Sequence, residues 1–154
     1  MSCCENFSLT CPNSETPETN IRKRAATEMQ KEYIDRIHHY VDSYNRFDIE
    51  GMMEQLHPDV VFRNYLNGAL SLETRGASEF RAQAEAAAEM FSQRNQTLKA
   101  VSAQHATLVA EIDYVGTVSK DLPNGLKAGE KIELSGVSEF TFLDGKIASI
   151  VDRS

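Results

Sequence analysis

Three turn signals, Asn67-Gly68, Pro123-Asn124-Gly125 and Asp144-Gly145, separate runs of alternating apolar and polar residues and commit much of this 154-residue chain to antiparallel pairing. Asn-Gly and Asp-Gly accept the positive φ angles of a tight hairpin turn, which bulkier residues resist. Ahead of the first turn, VVFRNYL sets Val60, Phe62, Asn64 and Leu66 on one side of a strand and Val61, Arg63 and Tyr65 on the other; ALSLET then returns beside it. The last third predicts a strand near residues 96–103, the long run HATLVAEIDYVGTVS, then EKIELSGVSEFTFL and KIASIVD. Leu108, Ala110, Ile112, Tyr114, Gly116 and Val118 share one face of the second of these. Ile132, Leu134, Gly136, Ser138, Phe140 and Phe142 share one face of the third, and Glu111, Asp113, Glu133 and Glu139 mark the opposite sides.

Helices fill the remainder. Thr27 with Gln30 three residues on is a capping box, and Ile34, Ile37, Val41 and Tyr44 recur at helical spacing with Tyr40 beside them, predicting a helix to about Tyr44. DIEGMMEQLH reads as a short second helix, capped by Asp48 and stopped by Pro58, with His57 at its end. Gly76 releases a third, ASEFRAQAEAAAEMFSQ, with Phe80, Ala84, Ala87 and Phe91 as its stripe. Residues 1–25 mix Ser, Thr, Asn, Pro and charge without a period, so they are expected to form a disordered arm ahead of one domain over 26–154. This order of elements predicts an α+β fold, a curved antiparallel sheet with three helices over its concave face and a hollow between them.

A formal net charge of −7 excludes nucleic acid as an expected partner, since Arg22, Lys23 and Arg24 form the one basic run. No apolar run reaches membrane-spanning length and no secretory pattern opens the chain, so a cytoplasmic location without membrane contact is expected. Cys3, Cys4 and Cys11 lie together in the arm and read as free thiols. The neighbours His38 and His39 point to different sides of a helix, so neither group predicts a metal site. No phosphate loop or catalytic triad is present, and no cofactor is expected.

Three stretches carry a resemblance that runs from about Tyr33 to Ser154: YNRFDIEGMMEQLHPDVVF, TRGASEFRAQ and FTFLDGKIASI. With the helix-helix-hairpin-helix-meander order, they resemble the nuclear transport factor 2-like superfamily and its SnoaL-like and ketosteroid-isomerase-like branch, whose cone-shaped fold (cystatin-like) hosts isomerases, dehydratases, cyclases and non-catalytic domains. The resemblance places the isomerases' helical Tyr on Tyr40, their first-strand base on Asn64 and their late-strand acid on Ser138. An amide cannot take a proton near neutral pH and a hydroxyl is a weaker oxyanion donor than a carboxylic acid, which argues against steroid-type chemistry.

The expected ligand wall is therefore Tyr40, Phe62, Asn64, Ile112, Tyr114, Leu134, Ser138 and Phe140, around a small apolar or aromatic molecule. Tyr40, Asn64, Ser138 and His57 are the catalytic candidates, with catalysis itself undecided. Asn64 reads equally as a buried amide that satisfies other groups, Tyr40 as core, and His57 as a partner of the negative helix end. The leading expectation is a small-molecule-binding SnoaL-like domain. Its alternatives are an isomerase, dehydratase or cyclase of a small polycyclic or aromatic carbonyl compound, and an interaction module. Val109, Val115 and Val137 on the outer face suggest a homodimer.

Overall fold

The computed structural model describes the backbone from residue 17 and side chains from residue 30. Contacts divide the chain into Met1–Glu32 and Tyr33–Ser154, and the second unit holds the sheet. Along the chain run α1 (Pro17–Asn45), α2 (Ile49–Glu54), β1 (Leu56–Leu66), β2 (Ala69–Arg75), α3 (Ala77–Glu89), β3 (Phe91–Gln104), β4 (Thr107–Val118), β5 (Lys131–Leu143) and β6 (Lys146–Arg153). The strands form one open sheet in the order β2-β1-β6-β5-β4-β3, antiparallel throughout except for the parallel pair β1 and β6. The expected α+β architecture is the one observed.

Turn chemistry acts where it was read. Asn67 and Gly68 have φ of 53° and 82°, Asp144 and Gly145 have 54° and 77°, so both hairpins close through left-handed pairs. Gly76, at φ 89°, starts α3 without a side chain to cap it, and the Glu79 carboxylate instead accepts from the Arg75 amide at 2.8 Å. Asp48 caps α2, its carboxylate accepting from the Gly51 amide at 2.9 Å.

Helix boundaries differ from expectation where distant pairing overrides local signals. α1 begins at Pro17, a residue suited to the first helical position, so Thr27 and Gln30 lie inside it rather than at its start. The expected arm falls largely on residues 1–16, outside the described residues; from Pro17 the backbone is helical. α2 ends at Glu54, short of Pro58, because the Gln55 carbonyl accepts from the Ile147 amide at 2.9 Å and Leu56 joins β6. Pro58 is tolerated in β1 because it sits in the irregular stretch between Leu56 and Val61, where a missing N–H breaks no regular ladder. α3 stops at Glu89 and not Gln93: the Ser119 amide donates to the Met90 carbonyl at 2.8 Å, the Ser119 hydroxyl donates to Glu89 at 2.6 Å, and Phe91 pairs with Val118.

The core lies between the helices and the inner sheet face. Ile37, Tyr40 and Val41 of α1 and Phe80 and Ala84 of α3 pack with Val60, Leu108, Ala110, Phe140, Ile147 and Ile150. Complete burial of a side chain such as Phe140 stabilises the fold by roughly 2–3 kcal/mol. The end of α1 is tied to the free edge of β3. The Asn45 amide donates to the Gln96 carbonyl at 3.1 Å and its oxygen accepts from the Gln96 amide at 2.7 Å, an imitation of strand pairing. The same edge is held by Arg94, whose Nε donates to the Tyr44 carbonyl at 3.0 Å. Among the described residues no helix is long and apolar enough to cross a membrane.

Replacing Asn45 with Ala strands both Gln96 backbone groups, and urea denaturation should report a loss of about 1–3 kcal/mol. Asn45→Asp, which retains the acceptor, should lose less. Equal stability of wild type and Asn45→Ala would contradict the role assigned to this tie.

Candidate functional site

Two adjoining hollows open between the helices and the concave face. The inner one, about 150 Å³, is walled by Tyr40, Phe62, Phe80 and Phe140, with Met52 and Ile150 also at its wall. The outer one, about 190 Å³, lies toward Ile112, Tyr114 and Leu134. Tyr44, Asn64, Gln96, Ser138 and Asp152 line both. The inner walls are rings in tilted and edge-to-face contact: Tyr40 with Phe80 at 6.4 Å, Tyr40 with Phe140 at 6.3 Å, and Phe62 with Phe80 at 5.7 Å between centroids. Tyr44 and Tyr114 meet edge-on at 6.3 Å near the outer hollow.

All eight expected wall residues lie on one hollow or the other, seven through strand parity and Tyr40 from α1: Tyr40, Phe62 and Phe140 on the inner, Ile112, Tyr114 and Leu134 on the outer, Asn64 and Ser138 on both. Leu134 is 45% exposed and stands at the mouth. The Asn64 amide donates to the Ser71 hydroxyl at 2.8 Å, and that hydroxyl donates back to the Asn64 carbonyl at 3.0 Å. Its NH2 is thus engaged structurally, while its side-chain oxygen is the part left to accept. His57 is elsewhere. It lies in β1, not at a helix end, with Nδ1 accepting from the Asp59 amide at 3.0 Å and Nε2 3.5 Å from the Asp144 carboxylate at the β5–β6 turn, and it lines neither hollow.

Two charged residues that sequence reasoning passed over complete the wall. Asp152 of β6 is the Cα partner of Asn64 on one side and of Ser138 on the other. The Ser138 hydroxyl donates to its carboxylate at 2.5 Å, so Ser138 is turned to Asp152 rather than left free for a ligand. Asp152 is half-buried and lines both hollows. Desolvation raises its pKa from the ordinary 3.8 to about 6, against the opposing pull of the Ser138 hydrogen bond. The Tyr40 hydroxyl is kept protonated, pushed well above its ordinary range first by burial and then by the field of Asp152. Burial raises Tyr44 and Tyr114 likewise, and Arg94 partly offsets the rise in both.

Arg94 is the second. It is 6% exposed and lines the inner hollow, with its guanidinium 3.7 Å from the Tyr44 ring centroid and 4.4 Å from that of Phe47. Phe47 holds a left-handed φ of 59°, a conformation a bulky residue adopts at a cost and one that carries its ring to this stack.

The arrangement offers a carboxyl whose pKa is raised to about 6, a protonated phenol that feels its charge, and a wall with several aromatic rings. It can move a proton to or from a bound molecule while the phenol stabilises charge on an oxygen.

No curated protein matches the chain in sequence. The family model of the SnoaL-like domain matches residues 37–150. Among solved structures, the fold is similar to a candidate polyketide cyclase of Xanthomonas campestris pv. campestris, with 20% identity, TM-score 0.66, and 82% of this chain and 92% of that one covered. It is similar to a candidate SnoaL-like polyketide cyclase of Jannaschia sp. CCS1, with 13% identity, TM-score 0.66, and 92% and 90% covered. A protein of ketosteroid isomerase-like fold from Catenulispora acidiphila, in complex with trimethylamine, gives 12% identity, TM-score 0.62, and 76% and 82%.

The raised pKa of Asp152 is a stability statement with a definite sign. A carboxyl whose folded value lies above its unfolded one favours folding below the unfolded pKa, and that contribution is lost as pH rises through about 6. Asp152→Asn should therefore be more stable than wild type at pH 7.5, by about 1–3 kcal/mol with the lower end allowing for water in the hollows. The gap should close near pH 4. Thermal unfolding across pH checks this, and a gap that is constant from pH 4 to 8 would refute it.

Proposed function

Since the chain belongs to the SnoaL-like family, matched from residue 37 to 150, we propose that it is a proton-transfer enzyme acting on a small aromatic or polycyclic carbonyl compound held in the paired hollows. The observation that carries this reading is the Asp152 carboxyl, its pKa pushed up to about 6 by burial, on the wall of a hollow between Asn64 and Ser138, with the Tyr40 phenol in its field. The polyketide cyclase candidates among the structural neighbours support a substrate with fused or aromatic rings.

The substrate carbonyl accepts a hydrogen bond from Tyr40. Asp152, ionised above its pKa, takes a proton from the carbon beside that carbonyl, and the pair of electrons left behind becomes an enolate whose oxygen Tyr40 stabilises. Asp152 then returns the proton, either to a different carbon in an isomerisation or to the alkoxide formed when the enolate carbon closes on a second carbonyl. The carboxylate is regenerated in both. Ser138 orients Asp152, and Asn64 offers its side-chain oxygen to the ligand. This assignment moves the base from the first strand, where the family resemblance expects it at Asn64, to the neighbouring strand β6.

Exchange of the α protons of 2-tetralone in D2O, followed by proton NMR, tests the reading. Wild type should accelerate exchange with a pH dependence that rises through an apparent pKa near 6. Asp152→Asn should lower the catalysed rate by at least about a hundredfold, and Tyr40→Phe by less. Catalysed exchange of equal rate in wild type and Asp152→Asn would overturn the assignment.

A further inference from the structure

A buried cation without a counter-ion is costly, because desolvation of the charge is not repaid by an opposite one nearby. Arg94 is in that position. Among the described residues no carboxylate forms an ion pair with it, and its Nη2 is buried without any hydrogen-bond partner. The other buried charge, Asp152, is engaged with Ser138, and Arg94 is not among the influences on its titration. The remaining polar side chains of the inner wall, among them Asn64, Gln83, Gln96 and Ser138, are neutral.

The structural work of Arg94 uses other parts of the group. Nε serves the Tyr44 carbonyl, and the faces of the guanidinium plane serve the Tyr44 and Phe47 rings. What remains is the unpartnered Nη2, on a guanidinium stacked against two rings in a residue that lines the inner hollow. A guanidinium edge matches an oxyanion through charge-assisted N–H···O bonds, whereas a neutral carbonyl leaves the charge uncompensated. From this we infer that the ligand of the inner hollow carries an acidic group, a carboxylate or an equally acidic enol or phenol oxygen, and that Arg94 is the specificity-determining residue that holds it.

The inference deepens the proton-transfer reading and rests on it for the polarity of the bound molecule: the acidic oxygen at Arg94 and the carbonyl with its C–H acid toward Tyr40 and Asp152. With Asp152 ionised, the ligand anion and Arg94 together contribute no net charge, so the site with its ligand contains two anions and one cation. The cation stands at the anionic end of the ligand and thereby keeps that charge from raising the cost of ionising Asp152.

Binding of 2-naphthoate and 2-naphthamide, which share a ring system and differ in charge, tests the inference by calorimetry at pH 7.5. Wild type should bind the carboxylate at least about tenfold more tightly than the amide. Arg94→Gln should bring that ratio to within about twofold of one. Because the ratio cancels any change in the fraction folded, a purely structural Arg94 would weaken both compounds equally and leave it unmoved. Should Arg94→Gln fail to fold by circular dichroism, Arg94→Lys is read in the same way, with the ratio expected to fall by about threefold or more through loss of the fork. A wild-type ratio near one, no measurable naphthoate binding, or a ratio retained in the variant overturns the inference. Asp152→Asn separates the two readings. It should lower catalysed tetralone exchange by at least about a hundredfold yet keep the naphthoate preference, whereas a preference lost with Asp152 and kept without Arg94 would overturn the assignment of recognition to Arg94.

Discussion

The docking of the α1 terminus on the edge of β3 governs what the rest of the unit from Tyr33 to Ser154 can be. Asn45 supplies both a donor and an acceptor to Gln96, and Arg94 takes up the Tyr44 carbonyl, so the last turn of the helix behaves as a short seventh partner of the sheet. An exposed strand edge is a template for unwanted pairing, and here part of that edge is occupied by the chain's own helix. The same contacts fix where Tyr40 and Tyr44 stand above the concave face. A helix anchored at its end by hydrogen bonds, and along its length by Ile37 and Val41, cannot settle into the curve of the sheet.

The hollows persist for a related reason. Rings in edge-to-face contact are rigid bodies that brace each other, and Tyr40, Phe80, Phe140 and Phe62 form such a frame. Aliphatic side chains would relax into the space. The polar groups are distributed unevenly around this frame, with Asp152 and Ser138 on the strands at its base and Arg94 with Gln96 on the edge strand. A molecule bound there would have the Asp152 acid on one side and the Arg94 cation on another, which gives it a head and a tail.

Local chemistry made the hairpins legible, because an Asn-Gly or Asp-Gly pair selects its turn without help from the rest of the chain. Parity then carried the strand part of the wall from Phe62 through Phe140, and helical spacing supplied Tyr40. What stayed hidden was decided at long range. Helix α2 yields to β6 at Gln55 and α3 yields to β4 at Phe91, and neither partner is visible within a window of local sequence. Arg94 fell in the gap between an overlong helix and a strand begun too late, and a lone arginine there reads as solvated. Asp152 was obscured by phase. In KIASIVD, alternation counted from buried Ile147 sends Asp152 outward, and only a count from Ile150 turns it in.

That change of phase has a definite source. Thr141 and Phe142 of β5 are neighbours, yet they face Ser149 and Ile147 of β6, so Ala148 is an extra residue in the strand. Ile147 and Ile150 can both be buried for this reason, and the strand enters the core on one parity and reaches the hollow on the other. Loss of a single codon at Ala148 would make the ladder regular, with Ser149 still opposite Thr141 and Asp152 still opposite Ser138, and would leave the Asp144-Gly145 hairpin as it is. A lineage with this sheet could thus gain or lose one residue between the hairpin and the hollow without moving the acid off the wall, because the extra residue is absorbed where the ladder is already irregular.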